Sequence, residues 1–352
     1  MKTRNSFCRN ARVIFPALFL CVSSAGCDGG IYDDLDPCET TYRIKFRYDY
    51  NMKYADAFPA EVGSVAVWAF DSDGKLVWSH KEEGEALADE NYTVEVPLPP
   101  GKYDFVSWCG LSDDGSFAVD SDTPQSKSEL ATTLLFPNAV KSGETIREHN
   151  MALTGLYHNV TAGVEIKHDP SVETTNDIVL SLVKDTNYFK ILLQNLDGTT
   201  MKEGDFSFYI TADNERIEHD NTPVKGDAFH HIPWKTTLGE ATLEGADPED
   251  ETVTTVSGIL AEMHTSRLIA GGKNLLVVRR NSDNKDIIRI SLIDYLLLVK
   301  GNYHDMTDQE YLDRQDEYSL TFFIDKNLNW YREIGIYVNS WHVVPPQDAT
   351  LH

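Results

Sequence analysis

The 352-residue chain has little cysteine, five residues in all, and too few cations to offset its acids: 31 Lys and Arg face 56 Asp and Glu. It also lacks a long apolar run. The longest, Val13 to Val22, holds ten residues and a proline, about half of the roughly 20 that a membrane-spanning helix needs, so a polytopic membrane protein is excluded. Setting aside Lys2, Arg4, Arg9 and Arg12 leaves 27 cations against 56 acids and moves the formal charge from −25 to −29. Nucleic-acid binding depends on basic stripes that displace counterions, and this balance argues against nucleic acid as a partner. HExxH, GxSxG, Walker, GxGxxG and CxxC motifs are all missing, so metalloprotease, α/β-hydrolase, nucleotide and thiol-redox chemistries lose their usual signatures.

What is present begins with an address. A basic segment (Lys2 to Arg12), the apolar run and the small residues Ser23, Ser24, Ala25 and Gly26 make residues 1–26 a secretory signal peptide. Cys27 follows. The Ala25-Gly26-Cys27 string resembles the lipobox of bacterial lipoproteins, in which the cysteine sulfur takes a diacylglycerol before cleavage. Ser24 stands where that pattern most often has leucine, and a plain secreted chain is the alternative. Each buried methylene of an acyl chain contributes roughly 0.8 kcal/mol, so a multiply acylated Cys27 is a stable anchor in the outer membrane. Residues 27–38 read as an acidic, glycine-containing tether; such a run resembles the export signal of lipoproteins on the outer face of Bacteroides-type cells. Cys8 and Cys21 leave with the signal and Cys27 is acylated, which leaves Cys38 and Cys109 in an oxidising compartment. One disulfide between them is expected, worth about 4 kcal/mol in the chain-entropy model. Two reduced, buried thiols are the alternative.

The body of the chain reads as all-β with a few short helices. Tyr42, Ile44, Phe46 and Tyr48 alternate with Arg43, Lys45 and Arg47, the period of a half-buried strand. Ser64 to Phe70 and Lys75 to Trp78 flank Asp73-Gly74, a hairpin turn. Strand patterns continue at Thr93–Leu98 and Tyr103–Trp108, then at 178–183, 188–193, 206–210, 275–278, 287–290, 318–324, 334–338 and 341–344. Capping-box spacing predicts a short helix after Ser126, through Glu129, and another from Thr307 through Arg314. A boundary near 158/159 divides an N-terminal sandwich, 39–158, from a C-terminal one, 159–352.

Few residues suggest chemistry. Asp71-x-Asp73-Gly74 starts like a calcium loop but lacks its distal glutamate, and turn chemistry accounts for it. His230 and His231 are adjacent, so on a strand they point to opposite faces, with no third ligand nearby. Asp33-Asp34 and Glu82-Glu83 are neighbours in exposed runs, unlike the separated carboxylates of a glycosidase. Of Trp68, Trp78, Trp108, Trp234, Trp330 and Trp341, most fall in strand patterns and read as core; any on the surface would be available to stack on sugar rings. No catalytic residue, cofactor or metal site is expected.

Specific strings carry a family resemblance. Tyr32-Asp-Asp-Leu-Asp-Pro-Cys38, Tyr48 to Phe58, Phe70 to Lys75, Leu153 to His158, Leu182 to Asn187, Glu262 to Leu268, Gln309 to Tyr318 and Val338 to Trp341 occur in one order along nearly the whole mature chain. In that order they resemble the FimB-type fimbrial anchor and minor-subunit family of Bacteroides-type pili. The resemblance implies two tandem transthyretin-like β-sandwich domains, a lipid anchor in the outer membrane and a place at the base of a fimbrium. It further implies pilin subunits as partners, joined by donor-strand exchange, in which a strand of one subunit completes its neighbour's sheet. A surface glycan-binding lipoprotein of a polysaccharide-uptake system is the alternative.

Overall fold

The computed structural model describes residues 40–136, 146–167, 174–242, 255–301, 303 and 305–344. The alternating segment forms β1 (Thr40–Arg47), followed by α1 (Phe58–Glu61), β2 (Ser64–Phe70), β3 (Leu76–Glu83), β4 (Val94–Glu95) and β5 (Gly101–Cys109). Three short strands, β6 (Phe117–Val119), β7 (Thr132–Leu134) and β8 (Arg147–His149), lead to β9 (Tyr157–Ile166), β10 (Thr174–Ser181) and β11 (Val183–Lys184). Next come β12 (Thr186–Asn195), β13 (Phe206–Ala212), β14 (Arg216–Ile217), β15 (Pro223–Val224) and β16 (Phe229–His231). A longer pair, β17 (Lys235–Thr242) and β18 (Thr255–Ser266), precedes β19 (Leu275–Arg280) and β20 (Lys285–Ser291). Helices α2 (Leu292–Leu298) and α3 (Asp308–Arg314) and strands β21 (Glu317–Ile324), β22 (Ile336–Val338) and β23 (Trp341–Val343) close the described chain. No helix among the described residues is long and apolar enough to cross a membrane.

In the N-terminal sandwich a sheet ordered β10-β1-β4 faces a sheet ordered β11-β9-β5-β2-β3. Ile44, Phe46 and Tyr48 of β1 enter a core with Val67, Phe105 and Leu180, as the alternation requires. The far face of the five-stranded sheet is covered too: Trp68, Phe70 and Trp108 pack with Leu130, Ile217 and Phe229. Burial on both faces explains why β2 is an uninterrupted buried run rather than an alternating one.

The C-terminal sandwich pairs a sheet ordered β17-β18-β12-β21-β22-β23 with one ordered β20-β19-β13-β16-β8. Its core holds Phe189, Ile191, Leu193, Phe208, Val278, Met263, Leu320 and Phe322. The halves interleave, because β8 pairs with β16, and β7 with β14. The expected boundary at 158/159 falls inside β9, whose register partner is β5 from Cys109↔Tyr157 to Gly101↔Ile166. Of the described strands before Asp185, β8 alone joins a sheet of the C-terminal sandwich, and the next to do so is β12.

Two local expectations meet different fates. Thr307 caps α3, its hydroxyl accepting from the Glu310 N–H at 3.0 Å, and the helix ends at Arg314. After Ser126 there is only a three-residue 3₁₀ turn, Lys127–Glu129. The Ser126 hydroxyl pairs with that of Ser128 and the Glu129 carboxylate takes the Gln125 N–H, so neither half of the capping box forms.

Candidate functional site

Four of the strings that carry the resemblance, Tyr48 to Phe58, Leu182 to Asn187, Glu262 to Leu268 and Gln309 to Tyr318, converge where the two sandwiches meet. Asp185, from the Leu182–Asn187 string, is fully buried; its Oδ1 accepts from Asn221 Nδ2 at 3.0 Å and lies 3.5 Å from Arg267 Nε. Arg267, from the Glu262–Leu268 string, forks onto Asp313 with Nε–Oδ1 at 2.9 Å and Nη2–Oδ2 at 2.8 Å. Its remaining amine donates to the Asn221 carbonyl. Gln309 donates to Asp313 at 2.8 Å and to the Leu268 carbonyl at 3.0 Å. Lys184 spans Asp316 at 2.6 Å and Glu61 at 3.1 Å. Arg314 lies over Tyr50 and Tyr54, 3.9 and 4.8 Å from the ring centroids, and so ties α3 to the first string after β1.

These groups brace one another. Burial pushes the Asp185 carboxyl up to about 7, against the opposing pull of Arg267 and Asn221. Removing one member of such a buried ion pair leaves an uncompensated charge and costs about 3–5 kcal/mol. Asp313, Asp316, Glu61 and Asp185 Oδ1 are engaged with guanidinium, ammonium and amide donors, whereas the buried Asp185 Oδ2 has no hydrogen-bond partner. The contacts join segments of both sandwiches at one place.

The residues singled out in the sequence are scattered. Cys27, Cys38 and Asp33-Asp34 lie outside the described residues. Asp71 accepts the N–H groups of Asp73 and Lys75 at 3.0 and 2.9 Å, closing the hairpin turn. Glu82 takes the Tyr92 hydroxyl at 2.7 Å and His80 at 3.3 Å. His230 stacks on Tyr209 at 4.2 Å, whereas His231 is buried against Phe229 and His149. No group of three metal-ligating side chains occurs among the described residues. Trp68, Trp108 and Trp330 are core and Trp78 packs partly buried against it. Trp234 and Trp341 are 37% and 60% exposed.

Cys109 is a buried free thiol, pushed up to about 12 by burial. The expected bridge to Cys38 conflicts with the strand geometry. Tyr42 binds Lys167 through its hydroxyl at one end of β1, while at the other end Tyr48 meets Tyr157, the register partner of Cys109, with ring centroids 5.1 Å apart. Strand rise sets Thr40 about 20 Å or more from Cys109. Two residues span at most about 7 Å, and a disulfide needs Cα atoms within about 7 Å. The geometry therefore argues against the pairing.

At the far side of the C-terminal sandwich, β17 has one neighbour, β18, and no strand beyond it among the described residues. Every residue from Lys235 to Ala241 is exposed, including Leu238 at 41%. On the outer face, Gly239 stands opposite Gly258. A shallow cavity of about 350 Å³ opens over them, with Leu192, Leu260, Val256 and Ala241 among its lining residues. No sequence signal marks this edge, because β17 has no apolar alternation.

A family model described as fimbrillin-A associated anchor proteins Mfa1 and Mfa2 matches residues 35–344. The minor fimbrium anchoring subunit Mfa2 of Porphyromonas gingivalis is 20% identical over 318 residues, 90% of this chain and 89% of that protein. A solved candidate adhesin of Bacteroides thetaiotaomicron superposes with a TM-score of 0.74 at 31% identity, covering 88% of this chain and 99% of its own. A candidate polysaccharide-binding protein of the same species gives 0.70 at 29% identity over the same shares. The fimbrial anchor protein Mfa2 of Porphyromonas gingivalis shares the fold, with a TM-score of 0.62 at 17% identity over 88% of this chain and 100% of that one. With the family model spanning both sandwiches and the junction between them, the chain belongs to the fimbrillin-A associated anchor proteins.

Proposed function

We propose that this protein is a non-enzymatic outer-membrane lipoprotein that holds fimbriae at the cell surface. In this reading it takes part in their assembly and length control by strand exchange with a pilin. The observation that carries the reading is the anchor-family match across residues 35–344. The geometry adds a mechanism. After a signal peptide at 1–26, a tether acylated at Cys27 reaches about 40 Å when extended and joins the body at Thr40, the first residue of β1. β1 is central in its sheet, held through eight register pairs by β10 and from the other side by β4. A pull along β1 loads those hydrogen bonds together, in shear, and the junction carries the force onward to the C-terminal sandwich.

Cys27→Ala tests the lipid anchor: the variant should leave the membrane fraction, since no described helix can insert. Deleting the gene should release fimbriae or alter their length, with the major pilin still folded, as seen by electron microscopy of deleted and complemented cells. Attached fimbriae of normal length in the deletion would sink the proposal.

A glycan-binding lipoprotein is the second reading, favoured by rings on the sheet's outer side, where Trp234 lies 6.2 Å from His264 and His264 stacks on Tyr188 at 4.9 Å. Trp341, the most exposed tryptophan, sits on β23 at the opposite edge. Three strand spacings, about 14 Å, separate it from Tyr188 on β12 and keep it from extending that platform. Micromolar binding of a polysaccharide that is lost in Trp234→Ala would favour this reading instead.

A further inference from the structure

We propose that β17 is the strand-accepting edge for a pilin: an extended pilin segment adds alongside β17 and lays one large apolar side chain over the Gly239–Gly258 notch. This rests on the anchoring reading and locates its contact.

Monomeric β proteins blunt their edges with charge, proline, bulges or shortness. β3, of equal length, carries His80, Lys81, Glu82 and Glu83 and pairs with β2 through an irregular register. β17 has no proline and no register break; its only charges are Lys235, paired with Glu262 at 2.9 Å, and Glu240. Between them lies the stretch Thr236-Thr-Leu-Gly239, whose outer backbone edge has no partner strand among the described residues.

The glycine points the same way. A glycine inside a strand costs about 0.5–1 kcal/mol relative to alanine, and it is retained where the backbone needs positive φ or where something approaches closely. Gly258 has a reason within the fold, because a Cβ there would meet Leu192 Cδ1 at 3.2 Å. Gly239 has neither reason: its φ is ordinary, and a Cβ would find only the Gly258 carbonyl at 4.0 Å. The space above it is free for a side chain from outside, floored by Leu192 and Leu260. On the opposite face of the edge, Leu238 offers apolar surface to the next residue of the same added strand. Main-chain pairing with pockets for alternate side chains is the recognition mode of strand addition.

Position adds a third, independent reason. The tether joins at Thr40, at the end of the N-terminal sandwich remote from Tyr48, Tyr157 and the junction. From the junction β12 runs outward from Thr186 to Asn195, and Gly258 is the partner of Gln194, near that outer end. Force entering at Thr40 and leaving through β17 thus traverses both sandwiches and the bracing between them. A pilin segment is the occupant suited to that place; a second copy of this chain is the competitor.

The test uses the detergent-solubilised lipoprotein and fimbriae sheared from the same cells, with binding read by co-sedimentation across a concentration series. Gly239→Phe fills the notch and Leu238→Lys charges the edge; each should weaken binding at least tenfold with Tm within about 2 °C of wild type, as for exposed positions. Gly239→Ala, a small side chain in open space, should stay within twofold. If the wild type binds and both variants bind equally well, the inference is overturned while the anchoring reading stands. If the wild type does not bind fimbriae at all, the anchoring reading itself fails. A wild-type dimer that Gly239→Phe dissociates without loss of fimbria binding would assign the edge to a second copy and overturn the inference.

Discussion

β1 and β17 are both eight-residue strands, and they are opposites. β1 is flanked on both sides and sends Ile44 and Phe46 into the core. β17 has one neighbour and its residues are exposed. The inner region, from β1 to the junction, has strands and charges that answer one another; the outer edge leaves a ladder open. A strand held by burial writes its register into the sequence as alternation, whereas a strand held by backbone pairing alone leaves its side chains unconstrained. The contrast separates what this fold uses to stay folded from what it keeps available.

The largest expected effect is on the closed side. Phe46 lies stacked 5.7 Å from Phe58 and 6.4 Å from Tyr92 in the first core. Phe46→Ala should cost about 3–5 kcal/mol, lost contacts plus a cavity, measured by urea unfolding of the N-terminal sandwich's signal. A cost under about 1 kcal/mol would mean that β1 is dispensable to that core and that the comparison with β17 fails.

The junction gives the next effect, and it depends on pH. Asp185 is pushed up to about 7 from an ordinary value of 3.8, with burial as the leading cause. Between those values the folded chain holds a proton that the unfolded chain has released. The penalty is therefore absent below about 4, grows as pH rises and is complete above about 7. An asparagine side chain in its place would not ionise. Asp185→Asn should gain on the wild type by roughly 2–3 kcal/mol between pH 5 and pH 8, read from paired melts at each pH. A stability difference that is flat with pH would show Asp185 charged throughout.

Much of the closed side was legible and little of the open side was. The alternation of Tyr42 to Tyr48, the apolar run of β2, the Asp73-Gly74 turn and the Thr307 cap are local signals, and each appears where its spacing puts it. The junction was visible only as strings of a family pattern, since Asp185, Arg267 and Asp313 come from three separate segments and meet through packing. The boundary expected near 158/159 falls within β9, whose pairing with β5 joins residues far apart in the sequence and leaves no local signal. β17 escaped because Lys235-Thr-Thr-Leu-Gly-Glu-Ala-Thr overhangs the core and carries no period. Ser126 misled because the same two spacings fit a 3₁₀ turn whose polar groups bond elsewhere.

Cysteine sharpens the closed end. With Cys109 level with Tyr48 and Tyr157, and Thr40 at the other end of β1, the mature protein should contain two thiols besides Cys27. Denatured without reduction, it should take two alkylating groups at Cys38 and Cys109, and Cys109 should not react while the chain is folded. Stability with and without reductant should agree within about 0.5 kcal/mol, against the roughly 4 kcal/mol a bridge would supply. An intact mass showing no alkylation before reduction would restore the disulfide and require a different path for the chain before Thr40.

The smallest effect belongs to β17, where its size is the point. Leu238 is an apolar side chain on a strand, the type of residue whose loss from β1 is expected to be severe, yet it is 41% exposed at an overhanging edge. Exposed positions without special roles shift stability by about 0.5 kcal/mol or less, whatever their hydrophobicity. Leu238→Lys should therefore leave the urea midpoint of the C-terminal sandwich within that range, since lysine can extend its charge into water at no cost to the ladder with β18. If the substitution instead costs about 2 kcal/mol or more, well beyond the exposed-site range, Leu238 is covered within the folded chain itself. β17 would then be a closed edge, and the difference between the two strands would be one of degree.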